Sequence, residues 1–368
     1  MKTKTIIFLL CLVLNSIVMG QSFQNEWMIG PFYRPAEAQP ILTAMAESQF
    51  QDPILNKMVH WESMATFNPA AIVRSDTIFV LYRAEEKLGE KEIGGHRSRI
   101  GLAYSTDGKT YIRLPKPIFH PDNDAQKKFE WPGGVEDPRI VQTEDGLYVL
   151  TYTQWNRKFP RLAVATSKNL RDWKKHGPIF EHYQNGKYHN RETKSGAIVT
   201  RLQNEKLVAA KIDGKYWMYF GVPHTWLAYS EDLINWTPVE THEGKLAPVL
   251  SPRPGYFDSW LVEAGPPPLL TDKGIVVLYN AGNSKNIGVA NLGNRTYTGG
   301  QALFDANEPW KLLARTEHPF IKPELPFEKS GQYKDGTTFI EGMVYFKDRW
   351  WLYYGTADSM VGVATTKN

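Results

Sequence analysis

The chain has a single cysteine in 368 residues, Cys11, and it lies in the apolar stretch at the start. Downstream of that stretch, disulfides, thiolate nucleophiles and cysteine-held metals are excluded. Charge of one sign is also scarce: the formal net charge is only +4, which argues against nucleic acid or an acidic membrane surface as partner. After residue 20 no run is apolar enough to span a bilayer. There is no Gly-rich phosphate loop and no Gly-x-Ser-x-Gly elbow. His182, His189 and His224 are scattered without metal-ligand spacing, so neither a metal nor a cofactor is expected.

The first 20 residues read as a secretory signal. Lys2 and Lys4 form a basic start, residues 6–14 an apolar middle, and Val18-Met19-Gly20 a cleavage site before Gln21. Cys11 sits inside this segment and not at the cleavage point, so a lipoprotein is not expected. The reading is an exported protein, periplasmic or extracellular, that has no disulfides and must rest on a large core. With 12 Trp, 18 Tyr and 17 Phe, the material for a large β core is present.

That material is repeated. Five aromatic segments, 78–82, 147–152, 215–219, 275–279 and 349–353, each close on a tyrosine: Tyr82, Tyr152, Tyr219, Tyr279 and Tyr353. Each is followed by a small-residue segment: 100–105, 162–167, 226–230, 287–290 and 361–365. The tyrosines recur every 60–74 residues, enough chain for a four-stranded blade with long loops. A β-sandwich is the alternative, but five near-equal units favour radial repetition. The expected fold is therefore all-β, a five-bladed β-propeller with a central funnel. Residues 1–20 are the signal, 21–60 an N-terminal arm and edge strand, and 61–368 one propeller domain closed by material from both ends of the chain.

In a propeller the innermost strand of each blade lines the axis, and its entrance faces the funnel. The entrances read Phe67-Asn68-Pro69, Glu136-Asp137-Pro138, Lys194-Ser195-Gly196, Glu263-Ala264-Gly265 and Glu341-Gly342-Met343. Before Asp137 stands the Gly133-Gly134 pair, which permits a close backbone approach. After it, Pro138-Arg139 biases it toward extended backbone beside a cation. Carboxyl groups from several blades meeting in one pocket suit glycoside hydrolysis, in which one acid protonates the leaving oxygen and another carboxylate activates water. The alternative is that these are turn residues making local hydrogen bonds.

The segments Phe67-Asn-Pro-Ala-Ala-Ile72, Leu81-Tyr-Arg-Ala84, Ser98-Arg-Ile-Gly101, Gly134-Val-Glu-Asp-Pro-Arg139, Ala264-Gly-Pro-Pro-Pro268 and Tyr353-Tyr-Gly-Thr-Ala-Asp358 together resemble glycoside hydrolase family 130. The resemblance implies a five-bladed propeller that cleaves β-mannosides with inversion, either by water or by phosphate. It implies Asp137 as proton donor, acting through a sugar hydroxyl. It also implies Asn68, Arg83, Arg99 and Asp358 as groups holding the mannose; Glu136 and Lys194, read from their blade entrances, are expected to bind substrate beside them. Arg139 is expected to orient the Glu136-Asp137 pair. The family's phosphorylases carry a Leu-His-Arg-Pro-like segment in the third blade; here that run is Met218-Tyr-Phe-Gly-Val222, without His or Arg. The hydrolytic branch often has a glutamate where this chain has Val222, with His224 two residues on. The expected activity is therefore an exported inverting hydrolase of manno-oligosaccharides, β-1,2-linked first. Glu263 is the expected water-activating base and Glu341 its understudy. A β-mannoside phosphorylase and a glycan-binding propeller without catalysis remain the alternatives, and the oligomeric state stays open.

Overall fold

The computed structural model describes residues 26–35, 39–89, 94–333 and 335–367. The expected signal segment lies outside them. Each blade is an antiparallel sheet that alternates along the chain. The first runs Ala65–Val73, Ile78–Glu86, Arg97–Ser105 and Ile112–Arg113. The second runs Gly134–Gln142, Tyr148–Trp155, Pro160–Ser167 and Trp173–Pro178. The third pairs Ala197–Ile198, Lys215–Phe220, Thr225–Ser230 and Thr237–Pro238. The fourth pairs Leu261–Ala264, Gly274–Gly282, Tyr297–Phe304 and Leu312–Arg315. The fifth has Thr338–Phe346, Arg349–Thr356 and Met360–Thr365. Tyr33 and Leu42 bridge to its last strand at Thr365 and Val361, so chain from the N-terminal side supplies that blade's outer edge. The hairpin Phe50–Asp52 and Lys57–Val59 precedes the first blade.

The aromatic segments are the second strands of the blades, buried on both faces. Neighbouring residues on such a strand point opposite ways. Tyr82 and Tyr353 fill one core between the first and fifth blades, while Leu352 and Leu278 fill another between the fifth and fourth. Tyr219 and Tyr279 meet between the third and fourth blades, and Met218 faces the second. Leu81 and Tyr152 share the core between the first and second. Five inter-blade cores are the result. Each fully buried leucine in them contributes roughly 1.5–3 kcal/mol.

All five tyrosines are fully buried, so each hydroxyl needs a partner. They reach Glu62, Glu130, the Pro309 carbonyl, Asp258 and Tyr111 in turn, at 2.7–3.0 Å. The rings also explain the small-residue strands. A Cβ on Gly101 would sit 2.3 Å from the Tyr82 ring, and one on Gly300 would sit 2.3 Å from that of Tyr279. This corrects one expectation: residues 287–290 are not a strand, and the partner of the fourth aromatic strand is Tyr297–Phe304. Among the described residues no helix is long and apolar enough to cross a membrane.

Candidate active site

Three inner strands carry a β-bulge at their entrance, at Asn68, at Asp137-Pro138 and at Glu341. Bulges re-aim a side chain and recur beside active sites. Asn68 and Asp137 adopt positive φ, 45° and 48°, a region Asn and Asp tolerate better than other residues. The proline that follows each has no N–H to lose from the ladder. The Gly133-Gly134 pair works as expected: the Ser98 amide donates to the Gly133 carbonyl at 2.8 Å. A Cβ on Gly134, at φ 124°, would lie 2.2 Å from the Ser98 carbonyl oxygen.

A cavity of about 280 Å³ opens where the five blades converge. Asn68 and Arg83 line it from the first blade, and Glu136, Asp137, Thr153, Trp155 and Pro160 from the second. Glu192, Thr193, Lys194 and Val222 follow from the third, then Tyr297 from the fourth, with Tyr333, Thr337, Phe339 and Asp358 completing the wall.

Arg83 organises the acidic side. Its guanidinium donates to Asp137 Oδ1 at 3.1 Å, to Glu136 Oε1 at 2.8 Å, to Glu85 Oε1 at 2.7 Å and to Ser98 Oγ at 3.1 Å. Asn68 Nδ2 adds a second donor to Asp137 Oδ1 at 2.8 Å. The two adjacent carboxyls are thereby driven apart. Burial pushes Glu136 up to about 7 against the pull of Arg83. Burial also opposes ionisation of Asp137, but Arg83, Lys194 and the Asn68 hydrogen bond prevail and hold it at about 2. Of the two, Glu136 is therefore the carboxyl that keeps a proton to the higher pH. Asp358 is likewise pushed up to about 7, by burial above all.

The remaining expected residues lie elsewhere. Glu263 is fully buried and does not line the cavity. Its Oε1 accepts a short hydrogen bond from Ser195 Oγ and lies 3.3 Å from Lys194 Nζ. It therefore sits beneath the cavity wall, locked to the lysine. Burial opposes a charge on Lys194, yet Glu263 and Asp137 raise its pKa and keep the ammonium charged. Glu341 is also fully buried, held by Arg139 Nη1 at 2.8 Å. Burial raises its pKa well above the usual range.

Arg139 corrects a further expectation. Instead of the Glu136-Asp137 carboxyls it binds the carbonyls of Ala264 at 2.8 Å, Gly265 at 3.1 Å and Asp137 at 3.2 Å. Arg99 does not line the cavity: it is fully buried and paired with Asp52 at 2.5 Å and Glu86 at 3.1 Å. His224 does not take up the space at Val222; it faces Ser251 Oγ at 2.9 Å. Among the described residues no group of three or more His, Cys, Asp or Glu is arranged to hold a metal.

The residues that sequence reasoning passed over include Glu192, Trp155, Tyr297 and Tyr333. For Glu192 a signal existed: it stands two residues before Lys194, and in extended chain such residues share a face.

The comparisons with known proteins agree on one family. The glycoside hydrolase 130 family model, described as β-1,4-mannooligosaccharide phosphorylase, matches residues 32–368. A 1,2-β-oligomannan phosphorylase from Thermoanaerobacter sp. (strain X514) is 33% identical over 330 residues, covering 89% of this chain and 94% of that protein. A β-1,2-mannobiose phosphorylase from the same organism is 31% identical over 336 residues, covering 88% and 96%. A solved structure from work describing glycoside hydrolases within this family that target β-1,2 mannosidic linkages in Candida mannan is 54% identical. It superposes with a TM-score of 0.91 over 93% of this chain and 95% of that one. The chain belongs to glycoside hydrolase family 130.

Proposed function

We propose that this protein is an enzyme that cleaves β-mannosides, β-1,2-linked ones first, by inverting hydrolysis. The observation that carries the choice of water is the charge of the cavity. Its two lining cations, Arg83 and Lys194, are already bound to carboxylates. Four carboxyl groups, Glu136, Asp137, Glu192 and Asp358, share the same wall. A phosphate dianion needs donors free to take its oxygens, and here it would meet carboxylates instead. Water meets no such barrier.

In this reading a water oxygen attacks the anomeric carbon, the bond to the bridging oxygen breaks, and the leaving oxygen takes a proton. Asp137 delivers that proton through a sugar hydroxyl. The sugar ring displaces water from Asp137, and this desolvation moves the proton of the pair from Glu136 to Asp137. Asn68 and Asp358 hold the mannose, and Arg83 keeps the two carboxyls in register. Residues 1–20 serve as the export signal, placing the reaction outside the cytoplasm.

The second reading is phosphorolysis, favoured by the names of the curated relatives, which are phosphorylases. One experiment separates the two: β-1,2-mannobiose is incubated with and without inorganic phosphate. Free mannose at equal rates in both tubes is the expected result. Mannose 1-phosphate formed only with phosphate would replace hydrolysis by phosphorolysis, and binding without product would leave a glycan-binding propeller.

A further inference from the structure

We infer that Glu192 is the group that activates the attacking water. The inference rests on the hydrolytic reading above. Inversion needs a carboxylate across the sugar from the proton donor, with room for a water between it and the anomeric carbon. Glu263 and Glu341 do not reach the cavity, as their complete burial and their pairing with Lys194 and Arg139 show. Three of the four lining carboxyls belong to one network. Glu136 and Asp137 share the Arg83 guanidinium. Asp358 adjoins it, because Gln332 Nε2 bridges the Asp358 carbonyl at 2.8 Å and Glu85 Oε2 at 3.3 Å. These groups come from the first, second and fifth blades.

Glu192 is the remaining lining carboxyl, and it stands on the third-blade wall. Its segment is tied down on both sides. The Thr193 amide donates to the Pro160 carbonyl at 3.1 Å, and the Gly221 amide donates to the Lys194 carbonyl at 2.8 Å. The Leu162 amide donates to Thr193 Oγ1 at 3.0 Å. Glu192, Thr193 and Lys194 all line the cavity. Glu192 makes no ion pair or hydrogen bond among the described residues and is solvent-exposed. It is thus a carboxyl open to incoming water, on the same cavity wall as Lys194. Val222 lines the same wall and supplies no competing acid.

In the step, the water oxygen bonds to the anomeric carbon and gives its proton to Glu192. The glycosidic carbon–oxygen bond breaks, and the leaving oxygen takes the proton of Asp137. Solvent then removes one proton and returns the other.

The test uses Glu192→Gln and Glu192→Ala in the full-length enzyme, with β-1,2-mannobiose as substrate. Loss of general-base assistance lowers kcat about 10²–10⁴-fold, with the thermal midpoint unchanged because the side chain is exposed and unpaired. Azide needs no base, so in Glu192→Ala it restores turnover and gives an α-mannosyl azide, seen by NMR. Asp137→Asn gains nothing from azide on this substrate. A Glu192→Gln rate within threefold of wild type overturns the assignment. So does a loss that azide fails to restore, which would make Glu192 a sugar-holding group. Neither outcome touches the hydrolytic reading, which fails if the wild type makes mannose 1-phosphate in place of mannose or binds mannobiose without forming product.

Discussion

Arg139 is where the axis of this propeller can be tested. Its guanidinium is buried and binds four groups from three blades: Glu341 Oε1 and the carbonyls of Ala264, Gly265 and Asp137. Arg139→Met keeps the apolar stem and removes every donor. Glu341 is then a buried carboxyl with no cation, and its Oε2 already lacks a partner. Removing one member of a buried ion pair costs about 3–5 kcal/mol. For a chain of 368 residues the unfolding entropy is about 0.8 kcal/mol per kelvin, so the thermal midpoint should fall by about 4–6 °C. Calorimetry at several scan rates measures it, since a protein of this size can unfold irreversibly. The double variant Arg139→Met/Glu341→Leu removes both charges together and should lose less than Arg139→Met alone, a coupling that additive sites would not show. The Michaelis constant for mannobiose, measured well below the midpoint, should not move, because Arg139 does not line the cavity. A midpoint within 1 °C of wild type, or strict additivity in the double variant, would refute the view that this arginine ties the blades together.

Asp137→Asn should lower turnover of mannobiose by about 10²–10⁴-fold, while an aryl β-mannoside with a good leaving group recovers most of its rate; an unchanged rate on mannobiose removes Asp137 as proton donor. Glu136 and Asp358 are both raised to about 7, so kcat/KM should be high below that pH and fall as pH rises through it, and Glu136→Gln should shift that limb of the profile without abolishing it; a profile flat from pH 6 to 8 contradicts the raised carboxyls. Arg99→Met should destabilise the fold by about 3–5 kcal/mol, as expected for a broken buried pair, and leave the Michaelis constant unaltered; a large rise in that constant with little change in stability would return Arg99 to the sugar.

The fold was legible because its repeat is chemical as well as periodic. Each of the five tyrosines buried between blades needs a polar partner for its hydroxyl, and Tyr82 and Tyr279 also need the glycine across the strand, Gly101 and Gly300. Residues 287–290 misled because Gly288 mimics that neighbour, whereas Gly300 is the residue that meets Tyr279. Arg99 misled for a different reason. Arg83 and Arg99 lie on neighbouring strands of one blade, and nothing local distinguishes the arginine that meets the Glu136-Asp137 pair from the one that meets Asp52 and Glu86.

The entrance residues show how much further the sequence can be read. Among the entrance residues, Asp137 and Asn68 line the cavity while Glu263 and Glu341 lie beneath it. The backbone decides which. Asn68 and Asp137 stand at positive φ on bulges, which turns their side chains out of the ladder. Glu263 stays in regular register opposite Asn280, and Glu341 sits on a bulge without positive φ. Asn and Asp tolerate the left-handed region because their short polar side chains bond locally, and glutamate does so less readily. An Asn or Asp followed by proline at a blade entrance therefore points to a side chain in the funnel, and a glutamate followed by a small residue points to one under its floor. The residue expected to activate water was sought among the entrance glutamates, where this backbone preference places a carboxyl out of the substrate's reach. Glu192, the carboxyl we infer to activate the water, reaches the cavity from the segment leading into the third entrance.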